Sequence, residues 1–322
     1  MQRQEHPSRL IISVCTRGRS NMLLDCISSI SRILPTEALQ VEVLVCDNNT
    51  LEMDTADKAI LKSAITHTFH YTHEARAGIP FARNAAIEKA LTLCPDWIAF
   101  IDDDERIDDD WLVLIAEAMK KWPATVYHGW TQSTPEDLEA PWAFQVARNK
   151  RAAGTKMRSA GTDNVVFCSS LVQTMPAGNG LRFDENMRFS GGSDLDFFYR
   201  VTDLGHSIIW VPEAIAREKI PLARLTFQYQ IRRSYSVAAA QTYITRKRLG
   251  TRSYARKILF KGLGRFFAGI FGLILASITF PFLEITARKW LLKSSKKIAC
   301  AFGIVAGFNQ KLGNIYKQID GS

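Results

Sequence analysis

Apolar positions along the first half of the chain fall into two alternating periods. Residues 10–15 (LIISVC) form a short uninterrupted apolar run, the mark of a strand buried on both faces, and residues 21–34 then place Met22, Leu23, Cys26, Ile27, Ile30 and Leu34 at helical spacing, with Pro35 behind them. A second strand is predicted at residues 41–46 (VEVLVC), running into the polar turn DNNT, and a third, alternating one at 67–73 (HTFHYTH). A helix follows at 79–93 with Pro80 in its first turn, then a fourth strand at 97–101 (WIAFI) and a helix at 109–121 stopped by Trp122-Pro123. Strands separated by helices of this length imply βαβ units and a mostly parallel sheet flanked by helices, with ligands at the carboxyl ends of the strands. Further on come a strand at NVVFCSS, the glycine-flanked segment RFSGGSDLDFFYR and a strand at SIIWVP. No internal repeat is visible.

Residues 135–161 read instead as a polar, irregular loop, in which Arg148, Lys150, Arg151, Lys156 and Arg158 would suit either an anionic ligand or plain solvation. A helix is expected from residue 222 to about 249, turning basic at TRKRLG.

Splitting the charge along the chain changes the picture. The formal net is +9, but residues 219–322 hold 19 Lys and Arg against Glu284 and Asp320, a net of +17, so residues 1–218 carry −8. An acidic catalytic domain over 1–218 and a basic, apolar helical tail over 219–322 are therefore expected to meet different partners. Within the tail, residues 266–283 (FFAGIFGLILASITFPFL) run for 18 positions without a charge, the lower limit for crossing a bilayer. Basic residues flank that run on both sides, and a single span would put one flank against the positive-inside bias. The favoured expectation is a segment lying in, or dipping into, an anionic leaflet; a span, or helices packed on the soluble part, are the alternatives. The scattered cysteines, none in a Cys-x-x-Cys pair, argue for reduced thiols and against a disulfide framework or zinc site. Nothing near residue 1 reads as a secretion signal.

The segment IAFIDDDERIDDDW packs seven carboxylates behind the fourth strand. Asp102, Asp103 and Asp104 would sit at the carboxyl edge of the sheet, where strand alternation turns Asp102 and Asp104 to one face and Asp103 to the other. Two carboxylates on one face are costly without a cation, which suits a hard divalent metal completed by phosphate oxygens. Asp108–Asp110 open the next helix, where an acid favours the N-terminal dipole and Asp108 is expected to cap.

These stretches carry a resemblance. IISVCTRGR, VLVCDNNT, EARAGIPFARNAAI, FIDDDE and GGSDLDFFYR, in this order, resemble family 2 glycosyltransferases, the inverting nucleotide-sugar enzymes of GT-A fold; with IPLARLTFQYQIRRSY the likeness is greatest to the succinoglycan-biosynthesis glucosyltransferases and covers about residues 8 to 240. The resemblance implies a Rossmann-like, mostly parallel sheet and an enzyme moving a hexose from a nucleotide diphosphate sugar, UDP-linked, to a lipid-linked saccharide during surface polysaccharide synthesis. It implies that Thr16, Arg17 and Asp47 hold the nucleotide, Asp47 accepting from the uracil imide. By the same likeness Gly78 and Arg83 approach the base and ribose. Asp102 contacts the ribose, Asp103 is more loosely placed, and Asp104 binds Mn²⁺ or Mg²⁺ on the diphosphate. Inversion needs a carboxylate to deprotonate the acceptor hydroxyl while the metal stabilises the leaving group. In the family this is the Asp of a Glu-Asp pair beside a Gly-Gly turn, which points to Asp194, although Ser193 stands where Glu is usual. Asp196 would fix a helix start or serve the acceptor. Where relatives offer a further ligand, often His, this chain has Arg217 and Glu218, either of which could serve the phosphates or the metal. Arg232 and Arg233 match arginines near the diphosphate. The expected place is the cytoplasmic face of a bacterial inner membrane, peripheral or monotopic.

Two other classes compete. Nucleotidyl transfer would bring a glycine-rich basic loop after the first strand, where SVCTRGRS has Gly18 alone. A nucleic-acid-binding tail would not need its basic residues to flank a long apolar run, so no nucleic-acid partner is expected.

Overall fold

The computed structural model describes residues 6–143, 151–174 and 180–317, with the backbone alone at 251–257 and 259. Arg148 and Lys150 of the basic loop lie outside the described residues, as do the side chains of Arg252, Arg256 and Lys257.

In chain order the elements are β1 (Ser8–Thr16), α1 (Ser20–Ile30), β2 (Leu39–Asp47), α2 (Thr55–Ala64), β3 (Thr68–His73), α3 (Ile79–Leu91), β4 (Trp97–Asp102), β5 (Glu105–Ile107), α4 (Trp111–Lys121), β6 (Val126–Pro135), β7 (Lys156–Met157), β8 (Val165–Cys168), α5 (Ser193–Asp203), β9 (Ile208–Ile220), α6 (Phe227–Leu249), α7 (Thr251–Thr279) and α8 (Glu284–Phe308). The strands form one sheet ordered β3-β2-β1-β4-β8-β6-β9-β5, with β7 beside β9. The β3-β2-β1-β4 half is parallel, and β8 runs antiparallel to both β4 and β6.

Alternation along β1 divides the core. Leu10, Ile12 and Val14 pack with Leu23 and Ile27 of α1 and Trp111 and Ile115 of α4 on one face. Ile11 faces the other way, with Ala86 of α3, Phe100 of β4 and Phe197 of α5. Both faces of β1, β2 and β4 are thus covered, which is why these strands read as nearly continuous apolar runs, whereas the edge strand β3 alternates.

Several expected boundaries move. Helix α1 stops at Ile30 rather than reaching Leu34. Helix α4 starts at Trp111 with Asp110, not Asp108, at its N-cap position and no side-chain capping bond. The Asp108 carboxylate instead accepts two 2.6 Å hydrogen bonds from the Arg217 guanidinium, which is the stronger claim on it. Residues 222–225 form a short 3₁₀ turn, and Thr226 then caps α6 by accepting from the Tyr229 amide at 3.3 Å. Strand β9 runs on to Ile220, crossing the 218/219 boundary read from charge.

The C-terminal helices pack through small residues. Helices α7 and α8 form a hairpin in which a Cβ on Gly272 would lie 2.1 Å from Ser294 Oγ and one on Gly269 2.5 Å from Ile298 Cγ1. Helix α8 in turn lies on α6, where a Cβ on Gly303 or Gly307 would meet the Tyr235 and Ala239 carbonyls at 2.3 and 2.1 Å. The face of α7 turned away from this contact exposes Phe260, Leu263, Phe267, Phe271, Ile274 and Ile278. Their three- and four-residue spacing is one helical stripe.

Candidate active site

A cleft of about 340 Å³ opens at the carboxyl ends of β1 and β4. Of the residues expected in the site, Thr16, Arg17, Gly78, Arg83, Asp102, Asp103, Asp104 and Asp194 line it, together with Glu218 and Arg233. Asp47 does not. Its carboxylate, wholly buried, is saturated inside its own turn, accepting from the Asn49 amide and side chain, the Met53 amide and the Tyr71 hydroxyl at 2.8–2.9 Å. The next residue reaches the cleft instead. Asn48 accepts from the Gly78 amide at 2.8 Å and donates to the Glu74 and Arg76 carbonyls, tying β2 to the start of α3. Gly78 holds φ 145° there, and a Cβ on it would meet Arg188 Cγ at 2.6 Å, so the position excludes a side chain twice over.

Strand alternation stops at Asp102, the last residue of β4, and Asp103 and Asp104 form a turn into β5. The expectation of Asp103 pointing away fails for that reason, and the turn brings all three acids to one cleft. Thr16 donates to Asp103 at 2.8 Å, and Arg19 donates to Asp103 at 2.9 Å and to Asp104 at 3.3 Å. Arg83 approaches the half-exposed Asp102 at 3.4 Å. Burial pushes the Asp103 carboxyl up to about 6, Arg19 opposing. Burial, with Asp102 beside it, also raises Asp104. Glu105, buried beneath the turn, accepts from the Asp102 amide at 3.0 Å, and burial holds its carboxyl well above the usual range.

Alternation along β9 separates the two residues that the sequence left undecided. Arg217 faces outward to Asp108, whereas Glu218 faces the cleft. Glu218 accepts from Ser133 at 2.7 Å and from Arg224 at 3.0 Å, and the same guanidinium reaches Asp104 at 3.5 Å. Arg224 therefore bridges two partly buried carboxylates that come from separate elements. Burial and then Asp104 raise Glu218. Sequence reasoning missed Arg19, Asp163 and Arg224, since each is brought in by a turn or a distant loop.

Asp194 sits in the first turn of α5, behind Gly191 and Gly192, which hold φ 72° and 83°. Burial raises its carboxyl, with the Arg83 charge and the Leu195 amide opposing. Asp163, on the loop before β8, is raised by burial and by the Asp102 and Asp194 charges. Asp196 is turned from the cleft, buried against Arg200 at 2.9 Å and Lys247 at 3.5 Å, and serves the α5–α6 contact. Arg232 does not line the cleft.

Among the described residues no group of three or more His, Cys, Asp and Glu side chains is arranged to hold a metal ion. Asp104 and Glu218 nonetheless present hard oxygen donors around a point that a cationic side chain already serves. One or two carboxylates completed by phosphate oxygens are what a magnesium-type ion requires, so the residues fit such a group.

A mostly parallel sheet flanked by helices, with strand-end carboxylates facing a cleft, is the GT-A architecture of nucleotide-diphospho-sugar transferases. The chain belongs to that class through glycosyl transferase family 2, whose sequence model matches residues 11–175. It is 26% identical over 228 residues to the succinoglycan biosynthesis protein ExoM of Rhizobium meliloti (strain 1021), covering 70% of this chain and 71% of that one. In three dimensions it is similar to the 1–349 fragment of TarS from S. aureus, with TM-score 0.52, 13% identity and coverage of 98% of this chain and 95% of that one; a UDP complex of the same fragment aligns with TM-score 0.51, at 13% identity and the same coverage. GalNAc-T7 crystallised with UDP, GalNAc and Mn²⁺ aligns with TM-score 0.52 at 12% identity over 74% of this chain. The chain spans 43% of the longer TarS chain and 51% of that GalNAc-T7 chain.

Proposed function

We propose that this glycosyltransferase is an inverting hexosyltransferase that uses a UDP-sugar and a lipid-linked saccharide acceptor at a membrane surface, in polysaccharide synthesis. The observation that carries this reading is one cleft receiving both the Asp102–Asp104 turn and Asp194 from the start of α5. Asp104 and Glu218 would hold a divalent cation, Mn²⁺ or Mg²⁺, which would stabilise charge on the departing diphosphate. Asp102 and Arg83 lie where the ribose would be met, Thr16 and Arg17 line the nucleotide end, and Asn48 and Gly78 offer the base its approach while Asp47 shapes the turn beneath them. Asp194 is the base. Burial raises its carboxyl and so makes it the stronger proton acceptor, and an acceptor hydroxyl attacking the anomeric carbon would give its proton to that carboxylate as the sugar–phosphate bond breaks.

The C-terminal hairpin supports attachment to an anionic leaflet rather than a span. Residues Phe260–Thr279 are long and apolar enough to cross a bilayer, and only 22% of that window is buried in the protein. But α8 runs antiparallel beside them. Ser294 and Ile298 meet Gly272 and Gly269, so Lys293, Lys296 and Lys297 sit level with the middle of the window. A span would draw those lysines into the hydrocarbon at roughly 2.5–3.5 kcal/mol each on insertion scales. Lying in the interface, the Phe260–Ile278 stripe enters the lipid while Lys293 and Lys297 meet headgroups and Lys296 donates to Gln230 of α6 at 2.7 Å. The reading places the enzyme at the cytoplasmic leaflet of a bacterial inner membrane.

UDP calorimetry in detergent, with and without Mn²⁺, on the wild type and on Asp104→Ala, tests the donor site. Binding that needs the metal and is lost in the variant is the expected result. An absence of UDP binding with any divalent ion would remove the proposal.

A further inference from the structure

After α8 the chain doubles back to the cleft. The amides of Asn309, Gln310 and Lys311 close the helix by donating to the Val305, Gly307 and Ala306 carbonyls at 2.9–3.1 Å, and Leu312 packs into the small cluster of Met187, Ala240 and Ile244. Gly313 then passes α6 so closely that a Cβ would meet Ser236 Oγ at 2.4 Å. Three residues later the Tyr316 amide donates to the Phe189 carbonyl at 3.1 Å. The Tyr316 ring lies against Gly191, where a Cβ would come within 2.7 Å of Cε2, and its side chain joins Arg224 and Arg233 in lining the cleft. Both guanidiniums feel the phenol electrostatically.

Anchoring the segment does not explain this tyrosine. Leu312 and the Tyr316 backbone already fasten it, and the ring belongs to none of the buried apolar clusters. A partly exposed phenol beside two guanidiniums offers an O–H donor within a cationic corner, and the ligand complementary to that corner is an anion with several oxygen acceptors. We propose that Tyr316 is a diphosphate-binding residue, its hydroxyl donating to the β-phosphate of the nucleotide beside Arg224 and Arg233, so that the C-terminal helical part completes the donor site. The proposal rests on the UDP-sugar reading given above. Gly191 is then glycine for two reasons, its left-handed backbone and the room that the Tyr316 ring takes.

The test compares UDP with UMP, which lacks the β-phosphate, by calorimetry on the full chain in detergent with Mn²⁺. Tyr316→Phe keeps the ring against Gly191 and removes only the hydroxyl. Losing a hydrogen bond to a charged group predicts that this variant weakens UDP binding by about tenfold or more. UMP binding stays at the wild-type value, and Tyr316→Ala loses at least as much for UDP. The proposal is overturned if both variants bind UDP within about twofold of a wild type that does bind it. It is equally overturned if Tyr316→Phe weakens UMP and UDP alike, since a phosphate-specific bond would spare UMP. A wild type that binds no UDP defeats the donor reading itself, before any variant is measured.

Discussion

Asn164 is the residue whose loss should be felt furthest from itself. Wholly buried between β4, β6 and β9, it accepts from the Trp111 indole N–H at 2.7 Å and donates to the Ala214 carbonyl at 2.8 Å, while its own amide donates to Phe100 and its carbonyl accepts from Gly129. Asn164→Ala keeps the backbone bonds, gives up a long 3.4 Å bond to the Trp130 carbonyl, and takes away the close partner of two buried polar groups, the Trp111 N–H and the Ala214 C=O. At about 1–3 kcal/mol for each orphaned group, the loss is about 2–6 kcal/mol. The residue also sits at φ 104°, where alanine adds strain of about 1–3 kcal/mol that glycine escapes. Asn164→Gly should therefore show the hydrogen-bond loss nearly alone, and Asn164→Ala the larger total. Thermal unfolding followed by near-ultraviolet circular dichroism reads the effect at about 2 °C per kcal/mol for a chain of this size. The reasoning fails if both variants unfold within about 1 kcal/mol of the wild type, a result that would mean the two partners find water or each other when Asn164 is gone.

Asp194→Asn should lower the rate of sugar transfer by about 10²–10⁴ while leaving UDP affinity unchanged, measured by UDP release and calorimetry on one preparation. Asp103, held up to about 6 by burial, keeps its proton more tightly folded than unfolded, so its contribution to stability is present below about pH 4 and lost as pH rises to about 6. Asp163 is raised in the same sense. Melting temperature against pH for Asp103→Asn should fall less than for the wild type over that window; parallel curves would contradict the burial argument. Phe267→Glu with Phe271→Glu puts two charges on the exposed stripe of α7, and co-sedimentation with anionic vesicles should drop sharply, whereas unchanged sedimentation would send the attachment elsewhere.

How much could be read beforehand depended on whether chemistry was carried by one element or by several. The runs LIISVC, VEVLVC and WIAFI announce buried strands because both faces of each are covered, and the carboxyl-edge rule then leads to Thr16 and Asp102. Helix α2 escaped notice because Leu61 is its only buried residue, too little for an apolar period, and β6 because its outer half alternates without a hydrophobic face. Asp108 shows a different limit. A helix-opening acid reads as a cap, yet an arginine 109 positions later claims it, and nothing local signals that pairing. The same holds for Asp47, whose position was read as a ligand but whose carboxylate is spent on its own turn. Glu218 and Arg217 were indistinguishable as neighbours until β9 was seen to run through both, sending one inward and one out. Tyr316 gave no signal at all, since proximity to Gly191 spans 125 residues of chain.

The glycine contacts of α7 and α8 bear on the proposed membrane attachment. Helices held together by apolar bulk rely on water to drive them together, and that drive vanishes among acyl chains. Here the hairpin is joined by close backbone approach at Gly269 and Gly272, and to α6 at Gly303 and Gly307. Van der Waals contact of this kind is nearly indifferent to the surroundings. On the proposed attachment, α7 can thus lay its exposed stripe in lipid while its packing on α8, and that of α8 on α6, stays as it is, and reversible partitioning would require no refolding step.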